Sequence, residues 1–355
     1  MKILCFIDEL GSGGAERQLV GLASLLKQNK MDVDVYCYHP IYFYEYFLIE
    51  NNVNLIKEFS KPKNIFEKIR RAFRVIQKGN YDAVIAFAPG AVMLSLIMKI
   101  IYRNFILIVS DRNNTPSPNL KQKLKFNLYR FADYIVPNSY SQRDIMVKLY
   151  PFMKPKIHVI TNFVNINQFS LSPLNPKEYI KLIAVARHHN VKNIPMLLKS
   201  LALLKERGIK LKIDWYGNFD NPVGAANLNL RKELNVEDMI EFLPHRTDIF
   251  ECYPHYDGFI LPSKSEAFSN TIGEAMCCGL PILCSAVGDN GILVENGVNG
   301  ILFESTTPDA IAKGIEKYIN LPNSMKKEMG KISRLRAEKL LSPISFIEKY
   351  KALLN

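Results

Sequence analysis

The sequence predicts an α/β protein with two domains, each built on a parallel sheet. Three observations lead to this fold class. Short apolar runs alternate with amphipathic helical stretches along the chain. A glycine-rich turn follows the first apolar run, which is typical of a βαβ unit. The length of 355 residues, with 48% hydrophobic residues, is sufficient for two separate cores.

The amino half begins with a predicted strand over residues 1–7, which lacks the layout of a signal peptide. The turn at 11–17 then opens a helix, although its glycine spacing differs from that of a dinucleotide-binding fingerprint. Further apolar runs predict the next strands at 33–38, 83–87, 105–109, 134–137 and 157–160.

A proline-rich stretch at 171–176 predicts the link between the two domains. We therefore expect a first domain over residues 1–172 and a second over residues 173–335. Residues 336–355 predict a C-terminal helix that crosses back to the first domain.

The segment from Glu266 to Glu274 carries two carboxylates on either side of a turn of small residues that leads into a helix. Apolar runs at 257–263 and 281–285 predict strands before and after it, which places the turn at the carboxyl end of a parallel sheet. Backbone N–H groups at a helix N-terminus bind anions, and carboxylates accept hydrogen bonds from hydroxyls. A nucleotide sugar offers both groups. The pattern alone also fits an ordinary strand, turn and helix with incidental acids.

Residues 261–281 resemble the signature of the retaining, nucleotide-sugar-dependent glycosyltransferases of family 4, with Ala267 where that family usually has glycine. The resemblance implies the GT-B architecture, in which two Rossmann-like domains with parallel sheets face each other across a cleft. It also implies transfer of a hexosyl or N-acetylhexosaminyl residue from a nucleotide sugar, with UDP as the expected nucleotide. The donor is a substrate, and we expect neither a cofactor nor a metal ion.

The resemblance also implies roles for individual residues. Glu266 would accept hydrogen bonds from the donor sugar, and Glu274 from the ribose. Arg187 and Lys192 would neutralise the diphosphate, where fixed cations stabilise the charge that develops as the glycosidic bond breaks. The remaining donor contacts implied by the resemblance are Gly14, Gly217, Phe268, Ser269 and Asn270. No histidine is assigned as a base, because in such enzymes the leaving phosphate takes the acceptor proton on the same face.

Net charge of +12 indicates an acidic partner, and the excess is concentrated. Residues 57–78 contain eight Lys and Arg against Glu58 and Glu67. On a helix over residues 64–78, one side would carry Ile65, Phe66, Ile69, Ala72, Phe73 and Ile76. The opposite side would carry Lys63, Arg70, Arg71, Arg74 and Lys78.

Such a helix fits an anionic membrane surface, a polyanionic ligand, or simply a core-facing stripe with a solvated face. The segments 11–17 and 110–114 resemble those of family 4 enzymes that elongate polyprenyl-diphosphate-linked sugars. This implies a lipid-linked saccharide as acceptor, in the biosynthesis of a bacterial surface polysaccharide or glycan. The acceptor or membrane site would comprise Arg70, Arg71, Arg74, Lys78 and Arg112. Relatives often have histidine where Arg112 stands.

The location that we expect is the inner face of the cell membrane, with the enzyme attached peripherally from the cytoplasm. The most apolar stretch, 91–110, is interrupted by Lys99, Arg103 and Asn104, so it predicts a buried helix and a strand. Six cysteines without CxxC spacing indicate a reduced compartment.

Two other classes of protein remain open at this point. A basic nucleic-acid-binding protein is disfavoured because the sequence has no recognition motif and no exposed aromatics among the cations, so we expect no nucleic acid partner. A sugar-nucleotide epimerase of the same fold would need a histidine in the amino-terminal domain. The presence of both Glu266 and Glu274 favours a glycosyltransferase over an epimerase.

Overall fold

The structure is a computed structural model that describes residues 1–102, 104–112, 117–174 and 179–355. Two compact units divide the chain. The first comprises Met1–Asn162 and Pro343–Asn355, and the second comprises Phe163–Ser342.

Within the described residues, the first unit holds a six-stranded parallel sheet and the helices that connect its strands. The strands are β1 (Lys2–Ile7), β2 (Asp32–Cys37), β3 (Asn54–Ile56), β4 (Ala83–Phe87), β5 (Ile106–Asp111) and β6 (Tyr134–Pro137), in the order β3-β2-β1-β4-β5-β6. The helices are α1 (Gly14–Gln28), α2 (Glu45–Glu50), α3 (Ile65–Gly79), α4 (Pro89–Ile101), α5 (Leu120–Leu128) and α6 (Tyr140–Leu149), with 3₁₀ turns at Tyr129–Phe131 and Pro151–Lys156.

Both faces of this sheet are covered, which explains why its strands read as unbroken apolar runs. Successive side chains of a strand point to opposite faces. Leu4 and Phe6 of β1 therefore share one buried cluster with Ala72 and Ile76 of α3. The helix α1 packs against β1 and β2.

The second unit repeats the architecture. Its described strands are β7 (Ile180–Val185), β8 (Leu211–Tyr216), β9 (Ile240–Leu243), β10 (Gly258–Leu261), β11 (Ile282–Ser285) and β12 (Gly300–Phe303), in the parallel order β12-β11-β10-β7-β8-β9. The helices are α7 (Ile194–Glu206), α8 (Pro222–Glu233), α9 (Ile249–Cys252), α10 (Asn270–Cys277), α11 (Asn290–Leu293), α12 (Pro308–Ile319) and α13 (Asn323–Leu340), with 3₁₀ turns at Ile166–Gln168, Asn190–Lys192 and Tyr253–His255. The α/β fold with two parallel sheets is confirmed, including the βαβ unit formed by β10, α10 and β11.

The last helix, α14 (Pro343–Leu354), belongs to the first unit, where it packs against α1. The chain passes from the first unit to the second after residue 162 and returns after residue 342, whereas the sequence predicts domain boundaries after residues 172 and 335. The segment after Asn162 belongs to the second unit because it is bonded there. The ring of Phe169 lies 6.3 Å from that of Tyr253, and the Ser172 N–H donates to the Cys278 carbonyl over 2.8 Å. Residues 175 and 176 of the predicted link lie outside the described residues.

One predicted strand is wrong. Residues 157–160 form no regular strand, and a single bridge joins Ile157 to Ile135 of β6. The preceding 3₁₀ turn contains Pro155, and the chain that follows this turn makes only a short contact with the edge of the sheet.

The apolar stretch 91–110 resolves into part of α4 and part of β5, as its polar interruptions predict. Within the described ranges, no helix combines the length and the hydropathy that crossing a bilayer requires.

Candidate functional site

The carboxyl edge of the second sheet carries the loop between β10 and α10, which contains the predicted site. Ser269 begins α10 as its N-cap, and its Oγ accepts from the Ile272 N–H over 3.4 Å. Phe268 and Ser269 are buried, whereas Asn270 is partly exposed at the first position of the helix. The first N–H groups of α10 therefore lie next to Glu266, where the helix dipole favours an anion.

Lys192 and Glu266 form an ion pair at the carboxyl edge of the second sheet. Lys192 ends the 3₁₀ turn after β7, and its Nζ lies 2.6 Å from Glu266 Oε1. Both side chains are partly buried. Residues 74 positions apart meet because β7 and β10 are neighbours in the sheet. A second bond ties the same loops together, since the Lys264 N–H donates to the Val191 carbonyl over 2.7 Å. The pair places an ammonium group beside a carboxylate that can accept hydrogen bonds.

A group of buried serines supports Glu266, and no motif in the sequence indicates it. Ser263 Oγ donates to Glu266 Oε1 over 2.6 Å. The Ser263 carbonyl in turn accepts from Ser285 Oγ at 2.6 Å and from Ser305 Oγ at 3.1 Å. Asn193, which follows Lys192, donates from Nδ2 to the Ser305 carbonyl over 2.8 Å. Ser285 ends β11, and Ser263, Ser305 and Asn193 lie after β10, β12 and β7, so the strand order brings them together.

Arg187 takes no part in this ion pair. Its side chain is exposed, and in the part of the chain that the structure describes it forms no ion pair of its own. The neighbouring His188 is buried, and burial lowers its pKa to about 4. Asn227 Nδ2 lies 3.2 Å from His188 Nδ1, and the ring of Phe242 packs on the imidazole at 4.5 Å. His188 is thus a neutral packing residue that the sequence analysis did not single out.

Glu274 sits one turn into α10 and is only 2% exposed. Tyr253 donates its hydroxyl to Glu274 Oε2 over 2.9 Å. A ribose hydroxyl would therefore have to reach the small exposed part of a carboxylate that Tyr253 already holds. The predicted contact with ribose stays a prediction.

Two glycines permit close backbone approach around the site. A Cβ on Gly217 would lie 2.1 Å from the Ala186 carbonyl oxygen, at the end of β7. A Cβ on Gly288 would lie 1.9 Å from the Glu266 carbonyl oxygen, and its φ of +54° also favours glycine. Gly14, predicted as a donor contact, opens α1 in the first unit with Gly13 as its N-cap. The structure assigns Gly217 a packing role, and its contact with a donor stays a prediction.

In the first unit, the basic residues of α3 do not share one surface. Arg70, Arg74 and Lys78 are exposed and lie four residues apart, so they form one stripe along the helix. Arg71 is only 5% exposed, and its predicted place on the exposed face is wrong. Its Nη1 lies 3.1 Å from Glu58 Oε2, and its Nη2 lies 2.5 Å from Glu67 Oε1. The two acids within the basic segment hold Arg71 in the protein and leave the other cations exposed.

The apolar side of α3 also differs from the prediction. Ala72 and Ile76 are buried, and Ile69 and Phe73 pack against the same core. Ile65 and Phe66 are instead exposed by 55% and 78%. They occupy the first turn of the helix, before α3 reaches the core at Ile69.

Arg112 follows β5 and is engaged within the first unit. Its guanidinium lies 4.5 Å from the ring centroid of Phe87, and Nη1 donates to Ser110 Oγ over 3.3 Å. Nη2 donates to Asn162 Oδ1. Burial lowers the pKa of Arg112. These bonds fix the side chain, while its predicted contact with an acceptor stays a prediction. Residues 113 and 114 of the resembling segment lie outside the described residues.

Family models match both halves of the chain. Residues 12–168 match the model described as Glycosyltransferase Family 4, and residues 166–336 match the model described as Glycosyl transferases group 1. The two matches overlap at residues 166–168 and follow the division into two units.

Two proteins of similar sequence carry the names of glycosyltransferases. An uncharacterized glycosyltransferase of Haemophilus influenzae is 25% identical over 356 residues, which cover 95% of each chain. A Campylobacter jejuni protein is 26% identical over 334 residues, which cover 85% of this chain and 88% of the relative. That relative is named N-acetylgalactosamine-N,N'-diacetylbacillosaminyl-diphospho-undecaprenol 4-alpha-N-acetylgalactosaminyltransferase.

Solved structures share the fold over nearly the whole chain. A glycosyltransferase from Rickettsia africae superposes with a TM-score of 0.86 at 20% identity, covering 99% of this chain and 97% of the other. The Anabaena protein HepE, solved with UDP and glucose, has a TM-score of 0.86 at 21% identity, covering 100% and 99%. Both family models, the two parallel sheets and the whole-chain likeness lead to one assignment. The chain is a glycosyltransferase that belongs to family 4 and has the GT-B fold.

Proposed function

We propose that this enzyme is a retaining glycosyltransferase that moves a hexosyl or N-acetylhexosaminyl residue from a UDP-sugar to a lipid-linked saccharide. The observation that carries the proposal is the Lys192–Glu266 pair beside the N-terminus of α10. A cation, a set of helix N–H groups and a carboxylate together match a diphosphate joined to a sugar.

On the donor side, Lys192 and the exposed Arg187 bind the diphosphate, and Glu266 accepts hydrogen bonds from the sugar hydroxyls. The bond between the anomeric carbon and the phosphate oxygen breaks, and the two cations stabilise the charge that moves onto the diphosphate. Structures of the similar HepE with UDP-glucose and with UDP support a UDP-sugar as donor.

Retention requires the acceptor oxygen to attack from the face that the diphosphate leaves. The acceptor proton then passes to the departing phosphate oxygen, so no side chain has to serve as base. This agrees with His188, which is buried and neutral next to Arg187 rather than exposed to a substrate. The proposal includes no metal ion, and we expect transfer to continue in the presence of EDTA.

On the acceptor side, the stripe formed by Arg70, Arg74 and Lys78 supports an anionic acceptor. The Campylobacter relative is named for a diphospho-undecaprenol substrate, which supports a lipid diphosphate. We therefore propose a role in the synthesis of a bacterial surface polysaccharide or glycan, on the cytoplasmic side of the cell membrane.

The test begins with a set of UDP- and GDP-sugars, measured by thermal stabilisation of the full chain. A ligand that binds only the folded protein stabilises it by mass action, by about 2.7 kcal/mol at a concentration of 100 Kd. The preferred donor is then incubated with polyprenyl-diphosphate-linked saccharides, and the anomeric configuration of the product is read by NMR.

We expect a UDP-sugar to be preferred and the α-configuration of the donor to be kept in the product. An inverted product would overturn the retaining mechanism. Conversion of the donor sugar without any acceptor would instead indicate an epimerase.

A further inference from the structure

The hydroxyl group of Tyr253 lies inside the second unit, beside the carboxylate of Glu274. Tyr253 begins the 3₁₀ turn that precedes β10, and its side chain is completely buried. Its hydroxyl donates to Glu274 Oε2 over 2.9 Å, one turn into α10. A bond between two buried polar side chains therefore joins a turn and a helix that lie 21 positions apart in the sequence.

The surroundings of this bond are apolar. Tyr253 belongs to a buried hydrophobic cluster to which β10 and α10 contribute Phe259, Ile272, Ala275 and Met276. Burying a polar group has a cost in free energy that a hydrogen bond only offsets. Replacing both partners of a buried bond by apolar groups of the same shape is nearly neutral or even stabilising. Packing therefore does not by itself account for a hydroxyl and a carboxylate at this place.

Glu274 shares a face of α10 with the proposed diphosphate site. The Cα–Cβ bonds of an α-helix tilt towards its N-terminus, and residues four apart lie on one face. Glu274 therefore lies on the same face as Asn270, the partly exposed first residue of α10. The N–H groups of that first turn are the proposed anion site. In a nucleoside diphosphate the ribose is joined directly to the diphosphate, so it falls next to this face.

Tyr253 gives the carboxylate of Glu274 a fixed orientation. A glutamate side chain has several torsions, and the loss of their freedom on binding would weaken the affinity for a ligand. Burial and the bond to Tyr253 restrict these torsions before any ligand arrives. The donor is itself held in place, because the ring of Tyr253 lies 6.3 Å from the rings of both Phe169 and Phe259.

We propose that Tyr253 is a positioning residue for the recognition of ribose. Its hydroxyl holds the Glu274 carboxylate in the orientation that accepts hydrogen bonds from the 2′ and 3′ hydroxyls of a ribonucleoside diphosphate. A nucleotide without these hydroxyls gains nothing from the arrangement. The inference rests on the proposed function, since it requires a nucleotide donor, and on the predicted contact between Glu274 and the ribose.

Calorimetry with UDP and with 2′,3′-dideoxy-UDP tests this role on the full chain. The ratio of the two affinities measures the preference for ribose. Tyr253→Phe removes only the hydroxyl, so we expect it to lower the affinity for UDP by about ten-fold and to leave that for dideoxy-UDP unchanged. A defect in packing would instead weaken the binding of both nucleotides alike.

Tyr318→Phe serves as the comparison variant. Tyr318 is equally buried in the second unit, and its hydroxyl donates to the backbone carbonyl of Asp257. The variant therefore removes a buried hydroxyl without altering the donor to Glu274. We expect it to lower thermal stability and to keep the wild-type preference for ribose.

A double-mutant cycle shows whether Tyr253 acts through Glu274. In the background of Glu274→Gln, the change Tyr253→Phe should reduce the preference for ribose no further, because the orientation of the carboxylate no longer matters. An unchanged preference in the single variant Tyr253→Phe, or an equal loss of affinity for both nucleotides, overturns the inference.

The variant Glu274→Gln also shows which proposal is at fault. If it loses the preference for ribose while Tyr253→Phe keeps it, the ribose contact stands and the role of Tyr253 fails. If Glu274→Gln keeps the wild-type preference, the ribose contact fails and the role of Tyr253 fails with it. A preference that depends on Tyr253, in an enzyme that transfers no sugar to a lipid-linked saccharide, would support the inference and refute the proposed acceptor.

Discussion

Glu266 is held at one oxygen by two donors of different kinds, the Lys192 ammonium and the Ser263 hydroxyl. The ammonium group supplies a positive charge, and the hydroxyl group fixes the orientation of the carboxylate. Because Ser263 is itself held by Ser285 and Ser305, the carboxylate belongs to a rigid buried network rather than to a mobile loop. Such support matters in catalysis, because small displacements of a positioned group are costly.

Ser263→Ala tests this positioning. The hydroxyl donates to an ionised group, a bond worth roughly 1.5–3 kcal/mol, so we expect kcat/KM to fall by about ten-fold or more. Affinity for free UDP should be unchanged, because the serine acts through Glu266. Ser200→Ala is the matched control, since Ser200 is equally buried and, among the described residues, its Oγ donates only to the Leu197 carbonyl within α7. A similar loss of activity in both variants would indicate a general packing defect.

His188 predicts a pH dependence of stability. Its pKa is lowered from the ordinary value of 6.5 to about 4 by burial, so the unfolded chain binds a proton in this window and the folded chain does not. Stability is therefore full above about pH 6.5 and falls as the pH decreases towards about 4, by about 3 kcal/mol in total. Urea titrations at several pH values give the free energy of unfolding as a function of pH. Across this window, that free energy should change more steeply with pH in the wild type than in His188→Gln. Parallel curves would show that His188 is not the responsible group.

The cations of α3 fall into two groups that lie on different sides of the helix. Its inward side carries Arg71, which joins the loop before the helix to the helix itself through Glu58 and Glu67. Its outward side carries Arg70 and the residues one and two turns further. Arg71 therefore has a structural role and Arg70 contributes to the surface charge, because consecutive residues of a helix point about 100° apart.

Arg71→Ala and Arg70→Ala form a natural pair for measurement. Removing Arg71 leaves two partly buried acids without their cation, so we expect a loss of about 2–3 kcal/mol in unfolding free energy. Arg70→Ala should change stability by less than about 0.5 kcal/mol and should instead raise the KM for a lipid-linked acceptor. Chemical denaturation and acceptor kinetics decide this. Equal stability of the two variants would contradict the structural role of Arg71.

At the scale of the whole molecule, the chain builds two sheets of the same kind but places its charges differently in each. The second unit gathers a paired carboxylate and lysine at the carboxyl edge of its sheet. The first unit exposes apolar and basic side chains at the start of α3. We infer that binding of the donor is a property of the second unit.

Hydrogen exchange with and without UDP tests this division. We expect slower exchange at residues 188–193 and 263–274 of the second unit, because a bound diphosphate would hold both loops through Lys192 and the N–H groups of α10. Residues 59–78 of the first unit should keep their rates. Protection that appears only in the first unit would show that the donor site has been misplaced.

The alternation of strands and helices, the βαβ unit around Glu266 and Glu274, and the family could all be predicted from the sequence. These features are local, since the periodicity of apolar residues and the turn chemistry act over a few residues. Three features became visible only in the folded chain: Lys192 pairs with Glu266, Arg71 is buried, and Ile65 and Phe66 are exposed. The first depends on β7 lying beside β10, and the others on how far α3 extends before it meets the core. Helical periodicity reveals which side chains share a face, but the neighbouring elements determine what covers that face.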